Sequence, residues 1–183
     1  MSEVEALVKA YKERVELPWE RSLAGPQRVW FAVYDPAQER RLRLHLEEFA
    51  IATKESGHGW IAIDLTTAFG RWMAGHRYRD SYFRQPERMQ LALQDFSKSV
   101  TGEVTERLSA ADVDDNTVAA IIGVGSLFGL TRMSALIEAV APAIRGRLLV
   151  FFPGQHHGSN YRLLDARDGW NYLAVPITAT DRK

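Results

Sequence analysis

Two aspartates are the residues of this sequence best placed to do chemistry. Asp35 follows the run Arg28-Val-Trp-Phe-Ala-Val-Tyr34, and Asp64 lies at the end of Gly59-Trp-Ile-Ala-Ile-Asp-Leu65, so each ends an apolar stretch that reads as a strand. In doubly wound sheets ligands sit outside the carboxyl ends of parallel strands, and two carboxylates there would hold Mg²⁺ or polarise a water. The same positions suit helix capping, because Asp35 precedes Pro36 and Asp64 precedes Thr66-Thr67. No third ligand stands at a recognisable spacing.

A second candidate is the turn Gly123-Val-Gly-Ser-Leu-Phe-Gly129. A phosphate-binding P-loop requires glycines five apart followed by Lys and Ser/Thr; the spacing is wrong here, and no lysine lies between Lys98 and Lys183. A dinucleotide fingerprint would place its third glycine at position 128, which is Phe128. A nucleophile elbow around Ser126 would need glycines at 124 and 128, which are Val124 and Phe128. Gly123 and Gly125 therefore read first as a tight exit from a crowded sheet, with Ser126 capping the turn. A degenerate nucleotide or anion pocket at Gly123, Gly125 and Ser126 is the alternative. His156 and His157 are adjacent, which in an extended segment sends their side chains opposite ways, unlike zinc ligands two to five apart.

The third candidate is a surface. Arg71, Arg77, Arg79, Arg84 and Arg88 interleave with Trp72, Tyr78, Tyr82 and Phe83. Stacking plus phosphate contacts by such a stretch would bind nucleic acid. Arg and aromatics are equally the composition of protein–protein hot spots, and core packing accounts for the aromatics alone.

These residues need a scaffold, and the stretch from Thr117 to Gly154 supplies its pattern. A strand (Thr117 to Val124), the glycine turn, an amphipathic helix (Met133 to Ile144) and a strand (Arg147 to Phe152) make one βαβ unit with both strands parallel. The near-continuous apolar runs mark strands covered on both faces. Upstream, Val4, Leu7, Val8, Tyr11 and Val15 recur at helical spacing; a helix over 36–56 buries Leu42, Leu46 and Phe49; and a long helical region is expected from about Asp80 to Ala111. Gln155 to Asn160 reads as an exposed loop. Asp168-Gly169 signals a hairpin between Tyr161-Arg-Leu-Leu-Asp165 and Trp170-Asn-Tyr-Leu-Ala-Val175, forming an antiparallel pair or adding a strand to the sheet edge. The expectation is one α/β domain over 1–183: a doubly wound, mostly parallel sheet of about five strands flanked by helices, with a C-terminal antiparallel hairpin.

Composition fits a soluble globular chain. Of 183 residues, 46% are hydrophobic and 25% charged, and Lys+Arg equals Asp+Glu at 23 each, so no global field draws the protein to nucleic acid or membrane. The absence of cysteine removes disulfides, thiolate metal sites and thiol nucleophiles. The acidic amphipathic start is unlike a secretory leader, and no apolar run is long enough to span a bilayer, so a cytoplasmic location is expected.

Several strings carry a family resemblance: Leu17-Pro-Trp19, Val29-Trp-Phe-Ala-Val-Tyr-Asp35, Gly123 to Gly129, Gly146-Arg-Leu-Leu-Val-Phe-Phe-Pro-Gly154 and Tyr161 to Pro176. Together they resemble the BrxB family, a component of BREX (bacteriophage exclusion) defence systems. The resemblance implies a cytoplasmic prokaryotic protein working beside an ATPase, a DNA methyltransferase and a PglZ-type phosphatase-like protein, and it brings no established catalytic residues. The expectation that follows is an adaptor without catalysis or cofactor, active in phage resistance, binding the PglZ-type protein by protein–protein interaction, with the ATPase as a second candidate partner and DNA contacted only indirectly or weakly. Candidate contact residues are Arg77, Tyr78, Tyr82 and Arg84, and above all Tyr161, Trp170 and Tyr172 as aromatic anchors of an exposed hairpin. The rivals are a nucleotide- or metal-dependent enzyme using Asp35, Asp64 and the glycine turn, and a DNA-binding subunit using Arg71 to Arg88.

Overall fold

The computed structural model describes residues 1–166 and 170–179. Strands β1 (Val29–Tyr34), β2 (Gly59–Asp64), β3 (Thr117–Ile122) and β4 (Arg147–His157) lie in one parallel sheet, joined at its edge by β7 (Val175–Ile177). The order across the sheet is β2-β3-β4-β1-β7. Helices α1 (Glu3–Val15) and α2 (Glu39–Glu55) cover one face, while α3 (Ala68–Ala74), α5 (Ala92–Leu108) and α6 (Met133–Val140) cover the other. The chain is an α/β protein with a mostly parallel sheet wound on both sides.

Alternation along each strand feeds both cores. Val29, Phe31, Ala119, Ile121, Leu148, Val150 and Phe152 pack on the α5–α6 side; Trp30, Ala32, Val118, Ala120, Leu149 and Phe151 pack on the α1–α2 side. That is why β1 and β3 are buried along their whole lengths and read as unbroken apolar runs, whereas β2, at an edge, exposes Ala62 and Asp64. The helices present matching stripes: Val4, Leu7, Tyr11 and Val15 on α1, and Phe96, Val100, Val104 and Leu108 on α5.

Three local expectations change. The region from Asp80 to Ala111 is not one helix. It divides into α4 (Arg79–Arg84), a 3₁₀ turn (Pro86–Met89) and α5, because Pro86 lacks the amide that a continuous helix would need. Gln155 to His157 is not a loop but the outer end of β4, which outruns its parallel neighbours and pairs antiparallel with β5 (Asn160–Leu163). The run expected over 170–175 is split. β6 (Trp170–Asn171) pairs antiparallel with β5, and after a break the chain enters β7 beside β1, so the antiparallel pair and the added edge strand both occur. The Asp168-Gly169 signal lies outside the described residues.

Candidate functional site

The carboxyl ends of the parallel strands are the first place to look for chemistry, and strand order decides what meets there. Asp35 leaves β1 and Asp64 ends β2, but β4 and β3 stand between those strands. Three interstrand steps separate the two carboxylates by about 14 Å across the sheet. The shared metal site considered for Asp35 and Asp64 is therefore corrected: the strands are parallel, but the carboxylates do not converge. Among the described residues no group of three His, Asp or Glu side chains is placed to hold a metal ion. Each aspartate is engaged locally. Asp35 accepts the Ala37 amide at 2.9 Å at the start of a 3₁₀ turn, and its own amide donates to Glu3 at 2.9 Å. Asp64 accepts the Thr66 amide at 2.9 Å and the Thr66 hydroxyl.

What does assemble at this end is a polar chain from α2. The Tyr34 hydroxyl donates to Glu39; Glu39 accepts from Arg43 at 2.8 Å; and Arg43 donates to the Thr66 hydroxyl at 2.7 Å and lies 3.8 Å from Asp64. Partial burial pushes the Asp64 carboxyl up, but the Thr66 hydrogen bonds with Arg43 and Arg71 outweigh it and hold it below its usual range. Burial and the adjacent Glu39 drive the Tyr34 phenol well above its ordinary value, so it remains a neutral donor. Arg43 and Arg71 both have carboxylate partners, so these residues form a paired clasp between α2 and the strand ends. The Glu39/Arg43 spacing of four on a helix opening after a strand was the available sequence signal; its partners Tyr34 and Thr66 had none.

The glycine turn is filled. Gly123 has φ +79° and no room for a side chain, because a Cβ would collide with Thr66. Gly125 faces the Pro153 ring, at 3.4 Å from a notional Cβ. Val124–Leu127 forms a short 3₁₀ turn with Ser126 exposed, and the Ser126 amide donates to the Gly123 carbonyl at 3.0 Å. The Ser126 and Phe128 amides thus bond within the turn, to the Gly123 and Gly125 carbonyls, and Thr66 packs directly against Gly123.

At the opposite end of the sheet, the loop between α1 and β1 is fastened by cations that the sequence reading did not single out. Arg28 donates to the carbonyls of Arg21, Leu23, Ile144 and Arg145, and buried Arg147 donates to Glu20 and Gly146. Trp19 lies between the Arg147 guanidinium, 4.8 Å from its ring, and His58, stacked at 3.8 Å. The function of this cluster is to hold a loop; Arg147 opening the most apolar run of the chain was its one visible sign.

The two aromatic surfaces differ. Tyr161 is fully buried, its ring 4.6 Å from Phe31 and its hydroxyl donating to the Ala174 carbonyl at 2.9 Å; Tyr172 is 6% exposed and packs on Phe31. The anchor role considered for Tyr161 and Tyr172 is therefore corrected: alternation along β5 turns Tyr161 and Leu163 into the core, and Tyr172, just past β6, is buried beside them. Burial pushes both phenols up to about 12. Trp170 contributes backbone pairing opposite Tyr161 in β6. The segment 71–91, by contrast, presents Tyr78, Phe83 and Leu91 to solvent at 48%, 68% and 80% exposure. The Arg77 guanidinium sits 4.4 Å from the Tyr78 ring, Arg84 is exposed, and Tyr82 is half-buried against His76. Trp72 roots the segment by packing on Phe69 and Phe96.

Among the described residues no helix is long and apolar enough to cross a membrane. No curated protein and no solved structure matches the chain. The family model described as BREX protein BrxB matches residues 78–177, from the exposed Tyr78 through β3, β4 and β5 to the end of β7. The chain belongs to the BrxB family of BREX antiviral-defence systems.

Proposed function

We propose that this protein is a non-catalytic adaptor of its BREX system that binds the PglZ-type component through the segment from Trp72 to Leu91. One observation carries the reading. Phe83 on α4 and Leu91 at the start of α5 are large apolar side chains held in solvent, in one segment of the chain with exposed Tyr78 and the exposed arginines Arg77, Arg84 and Arg88. Exposed apolar and aromatic side chains with arginines close by in the chain are what protein interfaces use, and desolvating them on a partner would supply the binding free energy. The closed strand ends favour the same reading: the aspartates cap, the clasp is paired and the glycine turn is filled.

The test is the mass, by light scattering after size exclusion, of this protein mixed with the PglZ-type protein of the same system and of each alone. The expected result is a complex that Phe83→Ala combined with Leu91→Ala weakens by about thirty-fold or more, a loss of roughly 2 kcal/mol typical of hot spots. Hydrolysis of nucleotide or phosphoester by the isolated chain, abolished by Asp64→Asn, would overturn the proposal.

A further inference from the structure

One side of the sheet is left unpaired. In the β2–β3 ladder the Gly59 amide donates to Asn116 and the Leu65 amide to Ile122, with Gly59 opposite Thr117 and Asp64 opposite Ile122. In a parallel ladder alternate residues bond the same neighbour, so Gly59, Ile61, Ile63 and Leu65 face β3. Trp60, Ala62 and Asp64 then turn both their amides and their carbonyls outward, and β2 is the last strand on this side. These donor–acceptor pairs repeat every two residues, about 6.6 Å, the repeat that another extended backbone presents.

Natural sheets protect such an edge with Pro, Lys, a bulge or a covering segment. The sequence Gly59-Trp-Ile-Ala-Ile-Asp64 has none of these residues, and all six of its residues pair with β3 in unbroken register. A groove of about 400 Å³ runs beside the edge between β2 and α5, with the small residues Ala62 and Ala110 in its walls and Asp64, Glu103, Glu106 and Arg107 along it, the Arg107 guanidinium being held by Asp112. Asp64 is matched by Arg43 and Glu103 by Arg71. Glu106 has no cationic partner among the described residues and lines the groove beside exposed Ala62.

We infer that the outer edge of β2 receives an extended segment of the partner protein as an added strand, with a Lys or Arg of that segment set against Glu106. Backbone pairing would provide affinity, and the groove with its unmatched carboxylate would provide the side-chain preference. A second copy of this chain is the poorer occupant. Two-fold pairing through Ala62 would set the Glu103 and Glu106 carboxylates of one copy against those of the other. The groove also adjoins the surface proposed above, because Glu103 lines it while bonding Arg71 on α3 at 2.6 Å, and α3 leads into Trp72–Leu91. The inference rests on the adaptor reading and adds its mode of contact.

The experiment uses the full chain with the PglZ-type protein and three readouts. Ala62→Pro removes one outward amide at an edge position where proline is tolerated, and Glu106→Lys reverses the unmatched charge. Each is expected to weaken the complex at least about ten-fold while melting stays near wild type. Hydrogen exchange supplies a signature that does not depend on any substitution. In the free protein the Ile61 and Ile63 amides are protected and those of Trp60, Ala62 and Asp64 exchange; in the complex all five slow. If Ala62→Pro does not fold, Glu106→Lys and the exchange pattern decide. A complex that keeps wild-type affinity in Glu106→Lys and leaves the outward amides exchanging overturns the added strand but not the adaptor. No complex for the wild type removes both. Protection of those amides in this protein alone, with a dimeric mass, overturns the proposal by naming a second copy as the occupant.

Discussion

The segments 72–91 and 161–177 have similar compositions and opposite fates. Each combines aromatics with arginine, and each reads in sequence as an aromatic contact surface. In the first, Tyr78, Phe83 and Leu91 stand in water; in the second, Tyr161 packs on Phe31 and Phe152, Tyr172 on Phe31, and Leu163 joins the same core, while Leu173 stays exposed. The difference lies in what each segment's backbone pairs with. β5 is bonded to the outer end of β4, which fixes its alternate residues over the sheet, and Tyr161, in register with His156, turns inward. The segment from Arg77 to Leu91 pairs with no strand and turns in short helices, which leaves side chains on every side of it. Aromatic content therefore does not mark an interface. Aromatic content without a ladder to orient it leaves side chains exposed, as in residues 77–91.

Truncating one aromatic from each segment breaks this comparison if it is wrong. Tyr161→Ala removes a fully buried ring and its hydrogen bond to Ala174, so a loss of about 3–5 kcal/mol is expected, enough to threaten folding. Phe83→Ala, at 68% exposure, should change stability by no more than about 0.5 kcal/mol. Denaturant melts of both variants check it. Comparable losses would mean that residues 77–91 are packed in solution and are no free surface.

Alkaline titration sharpens the same contrast within the unmodified protein. Tyr161 and Tyr172 have phenols pushed up to about 12 by burial, against an ordinary value near 10. Their folded-state values are raised, so their contribution is fully present below about pH 10 and is lost as pH rises from there through about 12, because the unfolded chain releases protons that the folded chain holds. For fully buried Tyr161 this amounts to at most about 3 kcal/mol. Tyrosine absorbance should show a late cooperative step coinciding with loss of near-ultraviolet dichroism. A single gradual rise with dichroism retained would place Tyr161 and Tyr172 in water.

The fold was legible where one strand serves two cores. Val118-Ala-Ala-Ile-Ile122 and Leu148-Leu-Val-Phe-Phe152 are apolar at every position because both faces are covered, and their shortness and β-branched content read as buried strands. Lateral order was not legible. Nothing in the local residues says that β1 lies fourth in the sheet, so Asp35 and Asp64 could be placed at the correct ends of parallel strands yet not at their true separation. Tyr161 failed for a related reason: its depth depends on β4 continuing to His157, a segment whose Gly154-Gln-His-His157 reads as polar loop. The clasp of Tyr34, Glu39, Arg43 and Thr66 joins three elements through side chains, and only its Glu39–Arg43 pair has a local spacing to detect.

The smallest expected effect tests what the exposed segment is for. The Arg77–Tyr78 contact lies at the surface and is worth about 0.5 kcal/mol, so Arg77→Ala should leave the melting temperature almost unmoved. Its effect on binding separates two kinds of partner. Against a protein, one rim arginine changes mainly the association rate, and the ionic-strength dependence is shallow. Against nucleic acid, each lost phosphate contact lowers the slope of log affinity against log salt by about one, whatever the sequence bound. Measuring PglZ-type protein and duplex DNA with Arg77→Ala and wild type over the same salt series therefore reads the chemistry of the surface directly. A steep DNA slope that falls in the variant would assign the arginines to phosphates and the aromatics to base stacking. A shallow dependence with the PglZ-type protein, alongside no salt-sensitive DNA affinity, leaves Tyr78, Phe83 and Leu91 as anchors for a protein. The exposed segment would then differ from the buried one in function for the same reason that it differs in depth.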